Sequence, residues 1–274
     1  MDLKIRNAVA LVTGASRGLG RAIAIAFAAE GVRVGICARS ASELALVARE
    51  IRALGAACDE VVADLTKPEE CVRAVSQVAK TFGRLDILVN NVSANAEGAS
   101  GGLSGSLERE IMTRFMGKTM AAVRCSTAAV ELMKRSGGGR VVFIGGTAAR
   151  TISRDEDPVF SQSTIPQGIS NSSIANFSKH LAEQVIADGI AVNVVHPYRM
   201  RTDRYSKRVE KIMRERGIER AEADVLLTAG LPQGRMLETT DVVPLVLFLS
   251  SPLASAITGQ AMAVDRGALQ QVNY

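Results

Sequence analysis

The chain is poor in aromatic residues, histidine and cysteine, and these shortages exclude several kinds of protein. Among 274 residues there is no Trp, and only three Tyr and seven Phe, so the aromatic-interleaved basic patches typical of nucleic-acid binding are missing. Two histidines, His180 and His196, and four cysteines without a CxxC pair are too scattered for a zinc site, and we predict no metal. No apolar run approaches the roughly 20 residues of a membrane helix. We therefore expect neither nucleic acid nor a membrane as a partner.

The remaining bulk properties are typical of one soluble α/β domain. Hydrophobic residues make up 47% of the chain beside 24 glycines, and this length suffices to bury a substantial core. The net charge of +5 is scattered, with a local cluster from Arg199 to Lys211, and we interpret it as a solvated surface. The widely spaced cysteines are typical of reduced thiols, and the first residues lack the apolar core of a signal peptide. We expect a cytoplasmic protein.

Short apolar runs alternate with longer stretches of helical periodicity along the chain. The predicted strands are residues 9–13, 32–38, 60–63, 85–91, 139–146, 190–197 and 261–265, and the predicted helices are residues 18–30, 42–54, 68–82, 106–135, 170–187 and 240–249. Nearly continuous apolar strands indicate a parallel sheet covered on both faces. The pattern predicts an α/β fold, a single Rossmann-type domain over residues 1–274 with a doubly wound sheet of about seven strands. We expect substrate-side loops at about 93–105, 147–168 and 198–235.

A glycine-rich turn follows the first predicted strand, in the stretch "VTGASRGLGRAIA". Gly14, Gly18 and Gly20 let the backbone turn tightly and approach a pyrophosphate, which binds at the amino end of the following helix. A glycine triplet is weak evidence by itself, but this one has a strand before it and a helix after it. The turn therefore predicts a dinucleotide site where the strands end.

Two arginines near this turn favour NADP(H) over NAD(H) as the cofactor. The second predicted strand ends in "ICARS", where a NAD-binding protein usually has a carboxylate for the ribose hydroxyls, and here the residue is Arg39. Arg17 lies within the glycine turn itself. Two guanidinium groups can converge on a 2′-phosphate through charge-assisted hydrogen bonds of about 1.5–3 kcal/mol each.

The chain resembles the short-chain dehydrogenase/reductase family over nearly its whole length. "TGASRGLG" is similar to that family's cofactor turn, "NNVSA" stands where the family has Asn-Asn-Ala-Gly, and "GRVVFIGG" and "GIAVNVVHP" are similar to its fifth and sixth strands. The resemblance implies an NADP(H)-dependent oxidoreductase with a small-molecule substrate of unknown identity. It also implies a homo-oligomer, a tetramer or dimer, to which the apolar spacing from Met120 to Met133 could contribute. The cofactor-binding residues implied by the turn, the arginines and the resemblance are Gly14, Ser16, Arg17, Gly18, Leu19, Gly20, Arg39, Ser40, Asp64, Leu65, Asn90, Val92, Pro197 and Thr202.

The resemblance implies four catalytic side chains, and other residues stand at the matching positions. In the family a tyrosine transfers the proton, a lysine lowers the pKa of that tyrosine, a serine positions the carbonyl group and an asparagine anchors a water. Aligned on "GRVVFIGG" and "NFSKHLAEQV", the serine position falls on Gly146, the tyrosine position on Gln167 and the lysine position on Asn171. The asparagine position falls near Lys118. Because no tyrosine precedes residue 198, we expect a divergent member that lacks the usual tetrad.

Several other side chains are candidates for the missing chemistry. Tyr198 stands where the family has a glycine, and it is either a relocated proton donor, a ring stacked over the nicotinamide site, or a filler of vacated space. Lys118 is either a cation near the cofactor or a surface residue. His196 at a strand end is typical of a structural histidine. The loop acids are typical of solvated carboxylates and the nearby hydroxyls lack a visible base; these residues are Asp155, Glu156, Asp157, Ser161, Ser163 and Thr164.

Three functions remain open on the sequence alone. The first is an NADP(H)-dependent oxidoreductase of divergent mechanism, and reduction of an activated C=C bond would tolerate the missing acid better than ketone reduction. The second is a catalytically inactive homologue that acts as a nucleotide-binding sensor or partner subunit. The third is non-redox chemistry in the same cleft. Consumption of NADPH, binding without consumption, and turnover without cofactor distinguish the three.

Overall fold

Seven strands of the described chain pair in parallel and form one sheet. The structure is a computed structural model that describes residues 2–93, 106–151, 164–201, 203–229 and 231–269. The strands are β1 (Val9–Thr13), β2 (Arg33–Ala38), β3 (Cys58–Val62), β4 (Ile87–Asn90), β5 (Gly139–Ile144), β6 (Ile190–Pro197) and β7 (Ala261–Val264). Their order is β3-β2-β1-β4-β5-β6-β7, so the connections reverse direction between β1 and β4. This confirms the doubly wound, Rossmann-type α/β fold, whose ligands bind outside the carboxyl ends of the strands at such a reversal.

Helices cover both faces of this sheet. Those in the described ranges are α1 (Gly18–Ala29), α2 (Ala41–Ala53), α3 (Pro68–Phe82), α4 (Leu107–Arg114), α5 (Ala121–Arg135), α6 (Thr164–Val185), α7 (Asp203–Arg216), α8 (Arg220–Thr228) and α9 (Thr239–Leu249). A π-helical segment, Phe115–Met120, joins α4 to α5. The bounds of α3 agree with the prediction because both ends carry strong helix-boundary signals. Proline begins the helix, and Gly83 ends it in the left-handed conformation at φ 80°. None of the described helices has the length and apolar character that crossing a membrane requires.

The strands alternate their side chains between two cores. In β1, Ala10 and Val12 pack on the side of α1, α2 and α9, which we call the first core. Val9 and Leu11 pack on the side of α3, α5 and α6, the second core. Most apolar residues of α5, among them Met133, are buried in the second core, so their spacing reflects packing within the chain. The oligomeric state stays a prediction.

The segment 198–235, which we expected to be a loop, contains two helices. A small separate cluster holds α7 and α8 together; it consists of Tyr205, Val209, Ile212, Ala223, Leu227 and Met236. The Tyr205 hydroxyl donates a hydrogen bond to the Asp224 carboxylate. Burial and this carboxylate raise the pKa of Tyr205 to about 12, so the phenol stays protonated and structural. The loop expectation was wrong because the many charged residues of α7 obscured its helical periodicity.

Several other boundaries differ from the expectation, and two of them bear on the sheet edge and on the candidate site. β3 begins at Cys58 rather than at residue 60, which is a small shift at the edge of the sheet. α6 begins at Thr164 rather than at residue 170, so Gln167 and Gly168 are helical and do not belong to the expected loop 147–168. Most of the other expected loop, 93–105, lies outside the described residues.

Candidate active site

The glycine turn lies at the carboxyl end of β1, and hydrogen bonds connect it to the residues at the end of β4. The Thr13 hydroxyl accepts hydrogen bonds from the backbone N–H groups of Asn91 at 2.9 Å and Val92 at 3.2 Å. The Asn91 amide donates to the carbonyl oxygens of Thr13 and Gly14, each at 3.1 Å. A Cβ at Gly20 would lie 2.3 Å from the Gly14 oxygen, so only glycine fits there. Asn91 was missing from the expected site residues, although the pair Asn90-Asn91 at the end of β4 pointed to it.

The amino end of α1 adjoins this turn, and none of the described residues crowds it at Gly18. A Cβ added at Gly18 would meet no atom of the described residues within 4 Å. Ser16 beside it is half-buried, Arg17 is exposed and Leu19 is buried. The first N–H groups of this 12-residue helix have no intrahelical carbonyl partner, so the helix end favours an anionic group.

Arg39 and Asp64 come together at the ends of β2 and β3. These strands pair in parallel, so the residues that follow them emerge at the same edge as the glycine turn. Burial opposes ionisation of Asp64, but two hydrogen bonds from Thr66 and the positive charges of Arg39 and Lys67 outweigh it and lower the pKa of that carboxyl. Arg39 itself is exposed. The edge therefore presents a carboxylate and a guanidinium beside the turn.

Three of the expected cofactor-binding residues have structural contacts of their own. Ser40 caps α2, where its hydroxyl accepts from the Glu43 backbone N–H at 3.3 Å. Leu65 is buried in the second core. Asn90 is buried and donates to the Ser126 hydroxyl at 2.9 Å, while its Oδ1 has no hydrogen-bond partner among the described residues. The structure leaves their cofactor roles untested.

The end of β6 sends Tyr198 toward the first core. Pro197 is buried, and the Tyr198 backbone N–H donates to the Val264 carbonyl at 2.9 Å. The half-buried Tyr198 ring packs against the first core, and the Arg199 guanidinium lies 5.4 Å from the ring centre. Thr202 lies outside the described residues.

Lys118, Asn171 and Gly146 meet at the carboxyl end of β5. Lys118 Nζ donates to Asn171 Oδ1 at 2.7 Å and to the Gly145 carbonyl at 3.2 Å. Asn171 is buried and Lys118 is half-buried. A Cβ at Gly146 would lie 2.8 Å from Asn171 Nδ2, so the asparagine amide occupies the space that a side chain there would need.

Contacts between the π-helical segment and α6 position this group. The Thr119 hydroxyl lies 3.2 Å from the Ser170 carbonyl oxygen and 3.1 Å from the Ser170 hydroxyl, and both residues are buried. Lys118 and Asn171 are the sequence neighbours of these two residues, so the bonds hold their side chains in register. Gln167 is half-buried one turn before Asn171 on α6, on the same side of the helix.

His196 completes the cluster as a neutral imidazole. It projects from β6 on the same face as Val194, which packs in the second core, and its Nδ1 accepts from the Gly146 N–H at 2.9 Å. Burial, and then the positive charges of Arg150 and Lys118, lower the pKa of His196 to about 4. The proton of the neutral ring is therefore on Nε2, which is buried without a hydrogen-bond partner among the described residues.

Of the other candidates, only Thr164 lies within the described residues. Thr164 begins α6. The remaining loop candidates lie outside the described residues; they are Asp155, Glu156, Asp157, Ser161 and Ser163. Within the described ranges there is also no group of three or more His, Cys, Asp or Glu residues that could hold a metal ion.

Comparison with known proteins identifies the family to which this architecture belongs. A family model described as enoyl-(acyl carrier protein) reductase matches residues 14–268. An uncharacterized oxidoreductase of Mycobacterium tuberculosis is 31% identical over 269 residues, with 96% of this chain and 93% of that protein covered. The NADPH-dependent reductase BacG of Bacillus subtilis is 28% identical, with coverages of 96% and 98%. The structure of L-sorbose reductase from Gluconobacter frateurii, complexed with NADPH and L-sorbose, has a TM-score of 0.87 at 28% identity, with 99% of this chain and 100% of that chain covered. This chain belongs to the short-chain dehydrogenase/reductase family of oxidoreductases.

Proposed function

We propose that the protein is an NADP(H)-dependent oxidoreductase with a non-standard proton-transfer site. The observation that carries the proposal is the placement of Arg17 and Arg39 after the neighbouring parallel strands β1 and β2, with Arg17 directly before α1. A 2′-phosphate between two guanidinium groups gains charge-assisted hydrogen bonds that a ribose hydroxyl cannot match. The NADPH named for BacG and bound in the L-sorbose reductase structure supports the same cofactor.

The residues at this edge fit a dinucleotide in other respects. Gly14 and Gly20 pack closely against the residues after β4 with no room for side chains, and no described residue fills the space beside Gly18, where a pyrophosphate would fit. Asp64 is ionised beside Arg39 and is a suitable acceptor for the adenine. When bound, the nicotinamide supplies hydride chemistry, and the protein's task is to bind, to orient and to manage the proton.

The proton-transfer positions hold an ammonium group and amides in place of a phenol. They are occupied by Lys118, Gly146, Gln167 and Asn171. Tyr198 remains the candidate donor, although its packing against the first core favours a space-filling role. A missing general acid typically costs about 10²–10⁴-fold in rate. We therefore propose reduction of an activated C=C bond, where water can supply the proton, and the enoyl reductase description of the matching family model supports this class.

A calorimetric titration with NADPH and, separately, NADH tests the cofactor assignment. We expect tighter binding of NADPH, and we expect Arg39→Ala or Arg17→Ala to weaken NADPH binding about ten-fold or more while NADH binding changes little. Arg135→Ala is the matched control, because this exposed arginine precedes β5 and so lies at the opposite edge of the sheet. Equal affinities for the two cofactors would refute the preference, and no binding of either would refute the proposed function.

The substitutions at the catalytic positions favour a second candidate, a nucleotide-binding protein without turnover. In α6 the positions of the family's tyrosine and lysine hold Gln167 and Asn171, so the usual proton path is missing. NADPH oxidation with crotonyl and acetoacetyl thioesters separates the two candidates. Consumption with the enoyl thioester supports the reductase, whereas tight binding without consumption of any substrate supports a sensor or partner subunit.

A further inference from the structure

Lys118 presents an ammonium group at the carboxyl end of β5, and two neutral oxygens fix its position. Its Nζ lies 2.7 Å from Asn171 Oδ1 and 3.2 Å from the Gly145 carbonyl oxygen. Because Asn171 is buried and Lys118 is half-buried, the charge is partly desolvated and acts more strongly on a nearby ligand than it would in bulk water. A charge held in this way has a defined location from which to bind a ligand oxygen.

The two side chains stand in the reverse of the order that the family resemblance implies. That order is asparagine on the helix before β5 and lysine on the helix after it, whereas here Lys118 comes before β5 and Asn171 after it. Because Lys118 Nζ contacts Asn171 Oδ1, the exchanged order still puts one ammonium and one amide side by side. The absent side chain at Gly146 agrees with this arrangement, because the Asn171 amide takes up that space.

This ammonium lies across the reversal of the sheet from Arg39. Arg39 follows β2 on one side of the β1–β4 reversal, and Gly145 follows β5 on the other. A dinucleotide bound across the reversal has its adenosine half toward β2 and its other half toward β5. Lys118 therefore lies on the side of the reversal where the nicotinamide half of the ligand would bind.

We propose that Lys118 is the cation that binds the nicotinamide-side half of the dinucleotide, and that Asn171 is its positioning residue. This inference rests on the proposed function, because it takes NADP(H) as the ligand. It adds to that function by naming the helical segment that supplies the positive charge. The cation comes from the π-helical segment before α5, and α6 supplies the amide that orients it.

The experiment compares calorimetric binding of NADPH with binding of adenosine 2′,5′-bisphosphate, which contains the adenosine half alone. Lys118→Met removes the charge and keeps the length of the side chain. We expect it to weaken NADPH binding about ten-fold or more and to leave bisphosphate binding within about two-fold of the wild type. Lys134→Met is the matched control, because Lys134 near the end of α5 pairs with Asp188 at 3.0 Å, away from the site, and we expect it to change neither affinity.

The double exchange K118N/N171K returns an ammonium to the cluster from the other helix. We expect it to recover most of the NADPH affinity that Lys118→Met loses, a rescue that a purely structural role does not predict. If Lys118→Met does not fold, NADPH affinity of the double exchange near the wild-type value supports the proposal, and affinity well below it overturns the proposal.

Three further outcomes overturn the proposal. If Lys118→Met binds NADPH as tightly as the wild type, Lys118 does not contact the ligand. If the variant loses the same affinity for NADPH and for the bisphosphate, Lys118 stabilises the fold and does not bind the nicotinamide-side half. Either result leaves the proposed function standing, because the wild-type protein still binds NADPH. Binding of neither ligand by the wild-type protein overturns the proposed function and this inference together.

Discussion

Replacing His196 by Asn tests whether a buried neutral histidine limits the stability of the protein in acid. His196 is 1% exposed, so solvent screens its ring little. Its pKa is lowered from 6.5 to about 4 by burial and by the charges of Arg150 and Lys118. Each unit of difference between the folded and unfolded pKa is worth about 1.36 kcal/mol, so the difference between 6.5 and about 4 corresponds to about 3 kcal/mol.

The sign follows from which state takes up the proton first. As the pH falls below about 6.5, the unfolded chain protonates His196 while the folded protein keeps it neutral. The contribution of His196 to the free energy of unfolding is therefore fully present above pH 6.5. It is lost progressively as the pH falls toward about 4, and below that value both states carry the proton and the loss stops.

The assay is urea unfolding followed by circular dichroism at pH values from 7.5 to 4. His196→Asn keeps a side-chain oxygen that can accept from the Gly146 N–H but does not titrate, and the exposed His180→Asn is the matched control. Carboxyl groups also titrate in this range, so the informative quantity is the difference between variants. We expect the wild type and His180→Asn to lose about 3 kcal/mol more than His196→Asn by pH 4. Parallel curves for all three proteins would refute the reasoning.

Two other predictions concern the neighbours of His196. Lys118→Met removes one of the positive charges beside the ring, so the pKa of His196 should rise from about 4 yet stay below 6.5, because burial remains. Proton NMR of the two histidines measures this pKa, with the exposed His180 as a reference. An unchanged pKa of His196 would contradict the placement of Lys118. Gly146→Ala places a Cβ 2.8 Å from Asn171 Nδ2 and should cost about 1–3 kcal/mol in the free energy of unfolding. The cost should fall in an Asn171→Ala background by at least about 0.5 kcal/mol in a double-mutant cycle, whereas additive effects would show that the two residues do not compete for space.

The regular part of the fold could be predicted because each element carries its own signal. The strands are short and apolar, and α3 has a proline at its start and a glycine after its end. The helix α7 was missed, although Tyr205, Val209 and Ile212 recur at helical spacing, because the charged residues between them resemble a solvated cluster. Apolar spacing within a charged stretch was the signal that could have found it.

The candidate site could be predicted only where it is local in sequence. The glycine turn, Arg39 and the occupants of the positions at Gly146 and Asn171 follow from neighbouring motifs. The contact between Lys118 and Asn171 joins residues 53 positions apart, and no local pattern encodes it. A sequence motif shows which strand a residue follows. Whether side chains from two different helices meet depends on their directions and on the packing of the whole domain.

The π-helical segment that carries Lys118 makes the site sensitive to chain length as well as to residue type. Its hydrogen bonds span five residues in place of four, so Phe115–Met120 accommodates one residue more than a regular α-helix would. One residue corresponds to a rotation of about 100° around the helix axis. Deleting a single residue such as Gly117 would let α4 and α5 join in one uninterrupted α-helix. Because the widened turn absorbs the extra residue, this deletion would not apply that rotation to α4. Both halves would keep about their present faces, and the deletion would remove the turn that presents Lys118.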